Sequence, residues 1–312
     1  MFTQFFLLFG LIAIGYIARS RGWINSESLD SLGDLLIYLI IPPMLLSSIL
    51  SLEIEQEILS EFIWMSLYSL GFFVVYFLLA KLYIRLFKVP FDYKETMEVS
   101  FVIPNNGFMG FPIALAFFGY KGLLFMVANN MVMNITLFTY GVYLIKRSNG
   151  INIKESISGA MKQILNPSII AIAIGLLLGV SGLQNYLPVP VEKLITILGE
   201  LATPLSMMYI GATLFGSSLK ELIRDKMIVK ATIARALLLP IATLILLNIF
   251  HIAELMGKIL FVVSVFPCAA VVPILVAEYG KHVETSVRMV LFSTILSLLT
   301  MPIGVYLTSI LW

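Results

Sequence analysis

The chain has 312 residues, of which 60% are hydrophobic and only 12% charged, with a formal net charge of +2 and a mean hydropathy of +1.00. Soluble domains carry about a quarter charged residues, so this composition excludes a soluble fold and indicates an all-α polytopic membrane protein. Nucleic acid is not an expected partner, because the basic residues are scattered through short loops, and a single cysteine, Cys268, with two histidines, His251 and His282, leaves no cofactor, metal site or internal disulfide to expect.

Windows of about twenty apolar residues mark ten spans, at roughly 3–19, 31–50, 62–84, 98–118, 122–145, 166–183, 193–215, 228–250, 257–278 and 286–311. The first apolar run, Phe5 to Ala18, has no basic residue before it and is followed by Arg19 and Arg21. It reads as a retained span and not as a signal peptide. Loops are short, which leaves no room for a soluble domain. The longest polar link divides the chain into a first group of five spans (1–150), a linker (151–165) and a second group of five (166–312).

Five is odd, so if the halves are duplicates the second enters the bilayer inverted. Leu32-Gly33-Asp34-Leu35 in span 2 is echoed 166 residues later by Leu198-Gly199-Glu200-Leu201 in span 7. Seventeen of the twenty basic residues fall on one side of the ten spans, leaving only Lys121, Lys193 and Lys258 on the other. The positive-inside rule then puts both termini outside the cell membrane and the central loop in the cytoplasm. The acidic run Glu53, Glu55, Glu57 and Glu61 reads as a solvated outer loop.

Span 4 contains Pro104-Asn105-Asn106-Gly107-Phe108-Met109-Gly110-Phe111-Pro112. Each proline removes a donor and crowds the carbonyl four residues earlier, so the helix is expected to break here. Gly107 and Gly110 permit unusual backbone angles or the close approach of a ligand. At a matching place in the second half, span 9 carries Pro267-Cys268-Ala269-Ala270-Val271-Val272-Pro273. Paired interrupted helices in corresponding positions point to a binding site between them; the plainer alternative is an ordinary proline kink packed against its neighbours. Each break frees a half-helix N-terminus with unpaired N–H groups and positive dipole character, which suits an anion.

Asn105 and Asn106 add amide donors and acceptors without fixed charge. Cys268 reads as a small buried hydrophobe, with pore lining as the other reading. In span 5, Asn130 and Asn134 share a face beside Asn129, either as interhelical glue worth about 0.6 kcal/mol per contact or as cavity wall. Arg235 reads first as a side chain snorkelling from the end of span 8, and second as a counter-charge within the bundle. Glu200 is the most embedded carboxylate by position. An acid near a span centre costs roughly 2.5–3.5 kcal/mol, so it either couples a proton or is satisfied locally near Thr203 and Ser206. Neither proline-bracketed segment contains Asp, Glu or Lys, which suggests weak or absent ion coupling.

The pattern Pro104-Asn105-x-x-x-Met109-Gly110-x-Pro112 resembles the crossover signature of the auxin efflux carrier family, which includes plant auxin carriers and bacterial permeases assigned to malate or malonate. The resemblance extends to Gly15-Tyr16, to Arg235 five residues before Pro240, to Pro273 followed by Ala277-Glu278-Tyr279, and to Ser286 through Pro302. It implies ten helices in two inverted repeats of the sodium/proton antiporter and bile-acid symporter type, with broken helices 4 and 9 crossing. It further implies a dimerising scaffold from helices 1, 2, 6 and 7, and an elevator-like transport domain from helices 3–5 and 8–10. Asn105 matches the asparagine that in plant relatives meets the substrate carboxylate.

The long cytoplasmic loop of the plant carriers is absent, and span 3 shows no clear Asp/Lys pair like their support site. A homodimeric, non-enzymatic secondary carrier for a small organic anion is therefore expected. A sodium- or proton-coupled symporter of bile-acid type is the alternative. No nucleophile–base constellation suggests an enzyme.

Overall fold

The computed structural model describes residues 2–52, 56–147, 167–215, 219–278 and 282–312. The linker 151–165, Glu53, Glu55, Lys154, Lys162, Tyr279 and Lys281 lie outside the described residues. Within them the chain is all-helical, and its extended pairing is one isolated bridge.

Seven helices are long and apolar enough to cross a bilayer. They are α1 (Phe2–Ser20), α2 (Ser26–Leu50), α3 (Gln56–Leu86), α5 (Asn106–Ile145), α7 (Val189–Leu214), α9 (Lys226–Phe250) and α12 (Val283–Leu311). Between them lie the shorter α4 (Lys94–Val102), α6 (Pro167–Ser181), α8 (Leu219–Arg224), α10 (Glu254–Val265) and α11 (Val271–Glu278). The expected spans 4 and 9 are both interrupted. Span 4 consists of α4 and the start of α5, and span 9 of α10 and α11. The expected boundary between spans 4 and 5 falls at Gly119, whose φ of 67° and ψ of −165° depart from helical geometry inside α5. Glycine takes that conformation without a Cβ penalty.

The chain divides into two compact units. The first comprises 1–66, 107–131 and 164–216, and the second 67–106, 132–163 and 217–312.

In the first unit α1 packs on the second half of α7, and α6 on the second half of α2. Two glycines set the closeness of the α1–α7 crossing. A Cβ on Gly15 would lie 2.0 Å from Met208 O, and one on Gly211 would lie 1.9 Å from Ile12 O. Lipid gives helices no hydrophobic reason to associate, so close backbone approach through small residues supplies the packing. Proline pairs in α2 are absorbed by a π-turn over Leu36–Ile40, just before Pro42 and Pro43.

The second unit gathers most of α3, all of α4, the end of α5 and α8 to α12. Tyr76 of α3 and Thr243 of α9 share a hydrogen bond of 2.6 Å between buried hydroxyls. The outer faces of the long helices stay apolar, as with Leu70, Val74, Leu78 and Leu82 on α3 and Leu237, Ile241 and Ile245 on α9. Such stripes are liabilities in water and requirements in lipid.

Candidate functional site

Proline sets the backbone where the two interrupted spans meet. A residue before proline is pushed out of the helical region, and both breaks begin on such a residue. Ile103, before Pro104, has φ −76° and ψ 115°; Phe266, before Pro267, has φ −66° and ψ 153°. The two extended segments run antiparallel with Pro104 opposite Cys268. Asn105 N–H donates to Pro267 O at 2.9 Å, and Ala269 N–H donates to Ile103 O at 2.9 Å. Cys268 N–H donates to Ser293 Oγ of α12 at 2.9 Å, and Asn106 N–H to Pro104 O at 3.0 Å. Interrupted backbone is expensive at membrane depth unless its polar groups are paired. Each break pairs the donors freed by the other.

The four bracketing prolines have different places. Pro104 and Pro267 lie in the extended segments. Pro112 follows a π-turn at Asn106–Gly110, and Pro273 is in the first turn of α11, where a missing N–H costs little.

Both interrupted segments bond to Arg235 of α9, which is only 2% exposed. Its Nε donates to Phe101 O at 2.8 Å, one Nη to Phe266 O, and the other Nη to Pro267 O at 3.5 Å. Phe101 lies in the last turn of α4 and Phe266 caps α10, so the guanidinium joins the carbonyl ends of both helices that enter the breaks. Those ends carry the negative pole of each helix. No ion pair among the described residues involves Arg235. The snorkelling reading is thus corrected. Carbonyls orphaned by the breaks hold the side chain inside, and the count on the basic side of the membrane loses one residue without changing sign.

Asn105 (7% exposed), Asn106, Cys268 and Ala269 are all buried, and Ala270 is half-buried, in the second unit. Cys268 is a free thiol. Asn134 also belongs to that unit and is half-buried, whereas Gly107, Gly110 and the buried Asn130 belong to the first. A Cβ placed on Gly107 would meet open space. Glu200 is exposed on α7. Among the described residues the carboxylate buried within the protein is Glu98 of α4, which is 6% exposed with an oxygen that makes no hydrogen bond. No cluster of metal-binding side chains occurs among the described residues.

Sequence reasoning missed the service that Arg235 and Ser293 give to the breaks. The available signal was an arginine inside an apolar span with no acid in reach, in a chain with two proline-broken helices to satisfy.

Residues 1–305 match the family described as membrane transport protein. The chain is similar to an uncharacterized transporter of Methanocaldococcus jannaschii, at 25% identity over 303 residues and 94% of each chain. It is also similar to one of Methanothermobacter thermautotrophicus, at 24% identity over 302 residues, 94% of this chain and 93% of the relative. A membrane composition, two mutually paired helix breaks and a family match over nearly the whole length lead to one conclusion: this chain belongs to the membrane transport protein family, that of the auxin efflux carriers.

Proposed function

We propose that the protein is a secondary carrier for a small organic anion, a carboxylate of the malate, malonate or auxin-like class, bound at the paired breaks of α4/α5 and α10/α11. The observation that carries this reading is Arg235, a buried cation with no carboxylate partner among the described residues, bonded to the carbonyls that precede both breaks. Its charge and the N-terminal starts of α5 and α11 make the region favourable to a negative solute. Asn105 holds the substrate carboxylate by amide hydrogen bonds, with Asn106, Ala269 and Ala270 beside it. Neutral amides bind an anion less tightly than a paired base would, which suits a carrier that must release its load.

Two features support the ten-helix inverted repeat. Packing of α1 on the end of α7 exchanges with packing of α6 on the end of α2 when the halves are swapped. Gly33 faces Tyr209, and its counterpart Gly199 faces Met44. On this reading helices 1, 2, 6 and 7 form a dimerising scaffold, and the domain with the breaks shuttles substrate by an elevator movement in the cell membrane.

Uptake of labelled malate, malonate and indole acetate into proteoliposomes tests the proposal. Asn105→Ala should lower uptake at least tenfold while the protein stays folded. Unchanged uptake would remove Asn105 from the site. The coupled-symporter reading has one observation in its favour, the unbonded buried oxygen of Glu98; strict dependence on a sodium or proton gradient, lost in Glu98→Gln, would establish it.

A further inference from the structure

Away from the breaks, the second unit contains a cavity of about 650 Å³ lined by Lys81, Arg85, Lys88 and Lys94, with Glu95 and Glu98. It lies where α3 ends and α4 begins, at the end of the helices that the basic-residue count assigns to the cytoplasm. Two of its cations have neighbours within the protein. Lys81 lies 5.2 Å from the centre of the Tyr140 ring and Lys94 lies 5.4 Å from that of Phe91. Arg85 and Lys88 are exposed, and neither enters an ion pair among the described residues. Four cations against two carboxylates leave the cavity with a net excess of two positive charges.

The backbone adds a separate observation. Lys88 follows the last turn of α3 with a φ of +49°. It stands in a helix stop closed by hydrogen bonds from Val89 N–H to Ile84 O at 3.1 Å and from Lys88 N–H to Arg85 O at 3.4 Å. Such stops are normally made by glycine, because a Cβ is strained there. A lysine at this place aims a cation at the cavity at a backbone cost that glycine would avoid. The surroundings are two-faced. Ile84, Val89, Phe91 and Leu144 line the cavity, and Leu86 and Phe87, next in the chain to the lining residues Arg85 and Lys88, are exposed.

We propose that this cavity binds a phosphate anion, supplied either as the headgroup of an anionic phospholipid or as a free phosphorylated solute. Unpaired cations between helices at a membrane face are the chemistry that recognises lipid headgroups, and the adjoining apolar side chains suit acyl chains. The site is independent of the carboxylate reading of the breaks.

The test uses the full chain in nanodiscs of phosphatidylcholine alone and in discs with an equimolar share of phosphatidylglycerol, with inorganic phosphate titrated into the first. Wild type should melt several degrees higher in the phosphatidylglycerol discs, and native mass spectrometry should detect retained phosphatidylglycerol. Arg85→Gln and Lys88→Gly should each remove most of that difference, and Lys230→Gln, outside the cavity, should keep it. In phosphatidylcholine Lys88→Gly should melt no lower than wild type, because glycine relieves the turn. Stabilisation by inorganic phosphate alone, lost in the same variants, would assign the free solute as the source. No stabilisation by either probe, or a lipid preference undiminished in Arg85→Gln and Lys88→Gly, would overturn the proposal.

Discussion

Arg235 stands at the point where two helices stop, and its guanidinium fork takes carbonyls from both. A buried acceptor left without a donor costs about 1–3 kcal/mol, so Arg235→Met should destabilise the protein by roughly 3 kcal/mol or more and lower its melting temperature. Arg235→Lys keeps the charge but loses the planar fork. It should bind carboxylates more weakly than wild type yet better than Arg235→Met, a ranking that ligand-induced thermal shifts would read. Equal shifts in all three would remove electrostatics from the account. This role was not legible in the sequence. An arginine in the first half of an apolar helix is ordinarily a snorkelling residue, and the carbonyls that hold it are 134 and 31 positions away. Asn105 was legible because its setting is local, between a proline that stops a helix and an Asn-Gly pair that restarts one.

At the scale of elements, the interruptions follow from covalent geometry. Proline biases the residue before it toward extended backbone, so Pro104 and Pro267 end α4 and α10 wherever those helices pack. That is why both breaks could be placed from the chain alone. Their mutual pairing needs tertiary contact; the sequence suggested it only through similar composition at matching positions of two halves. The exposure of Glu200 and the burial of Glu98 were not legible for the same reason, since depth within an apolar window says nothing about which face a residue occupies. The α1–α7 crossing is the most demanding contact in the first unit. Gly211→Leu would drive a side chain into the Ile12 carbonyl, 1.9 Å from the site of its Cβ, and the helices would have to separate. Such overpacking costs at least about 1–3 kcal/mol, and more against backbone. The variant should melt lower and be recovered in lower yield as a single species on size-exclusion chromatography, whereas Gly10→Leu, where a Cβ meets open space, should behave as wild type.

For the whole molecule, the proposed binding of an anion at the paired breaks makes a carrier whose loaded form differs in charge from its empty form. A membrane potential acts on such a difference with about 2.3 kcal/mol per elementary charge per 100 mV. On the proposed reading ion gradients need not enter, since the proline-bracketed segments hold no Asp, Glu or Lys. The most direct measurement is the current from proteoliposomes on a solid-supported membrane when malate, malonate or indole acetate is added without a sodium or proton gradient. A substrate-dependent current with the sign of net negative charge movement, abolished in Asn105→Ala, is expected. A current that arises only with a sodium or proton gradient, or one that survives unchanged in Asn105→Ala, would contradict the assignment of the paired breaks as an anion site.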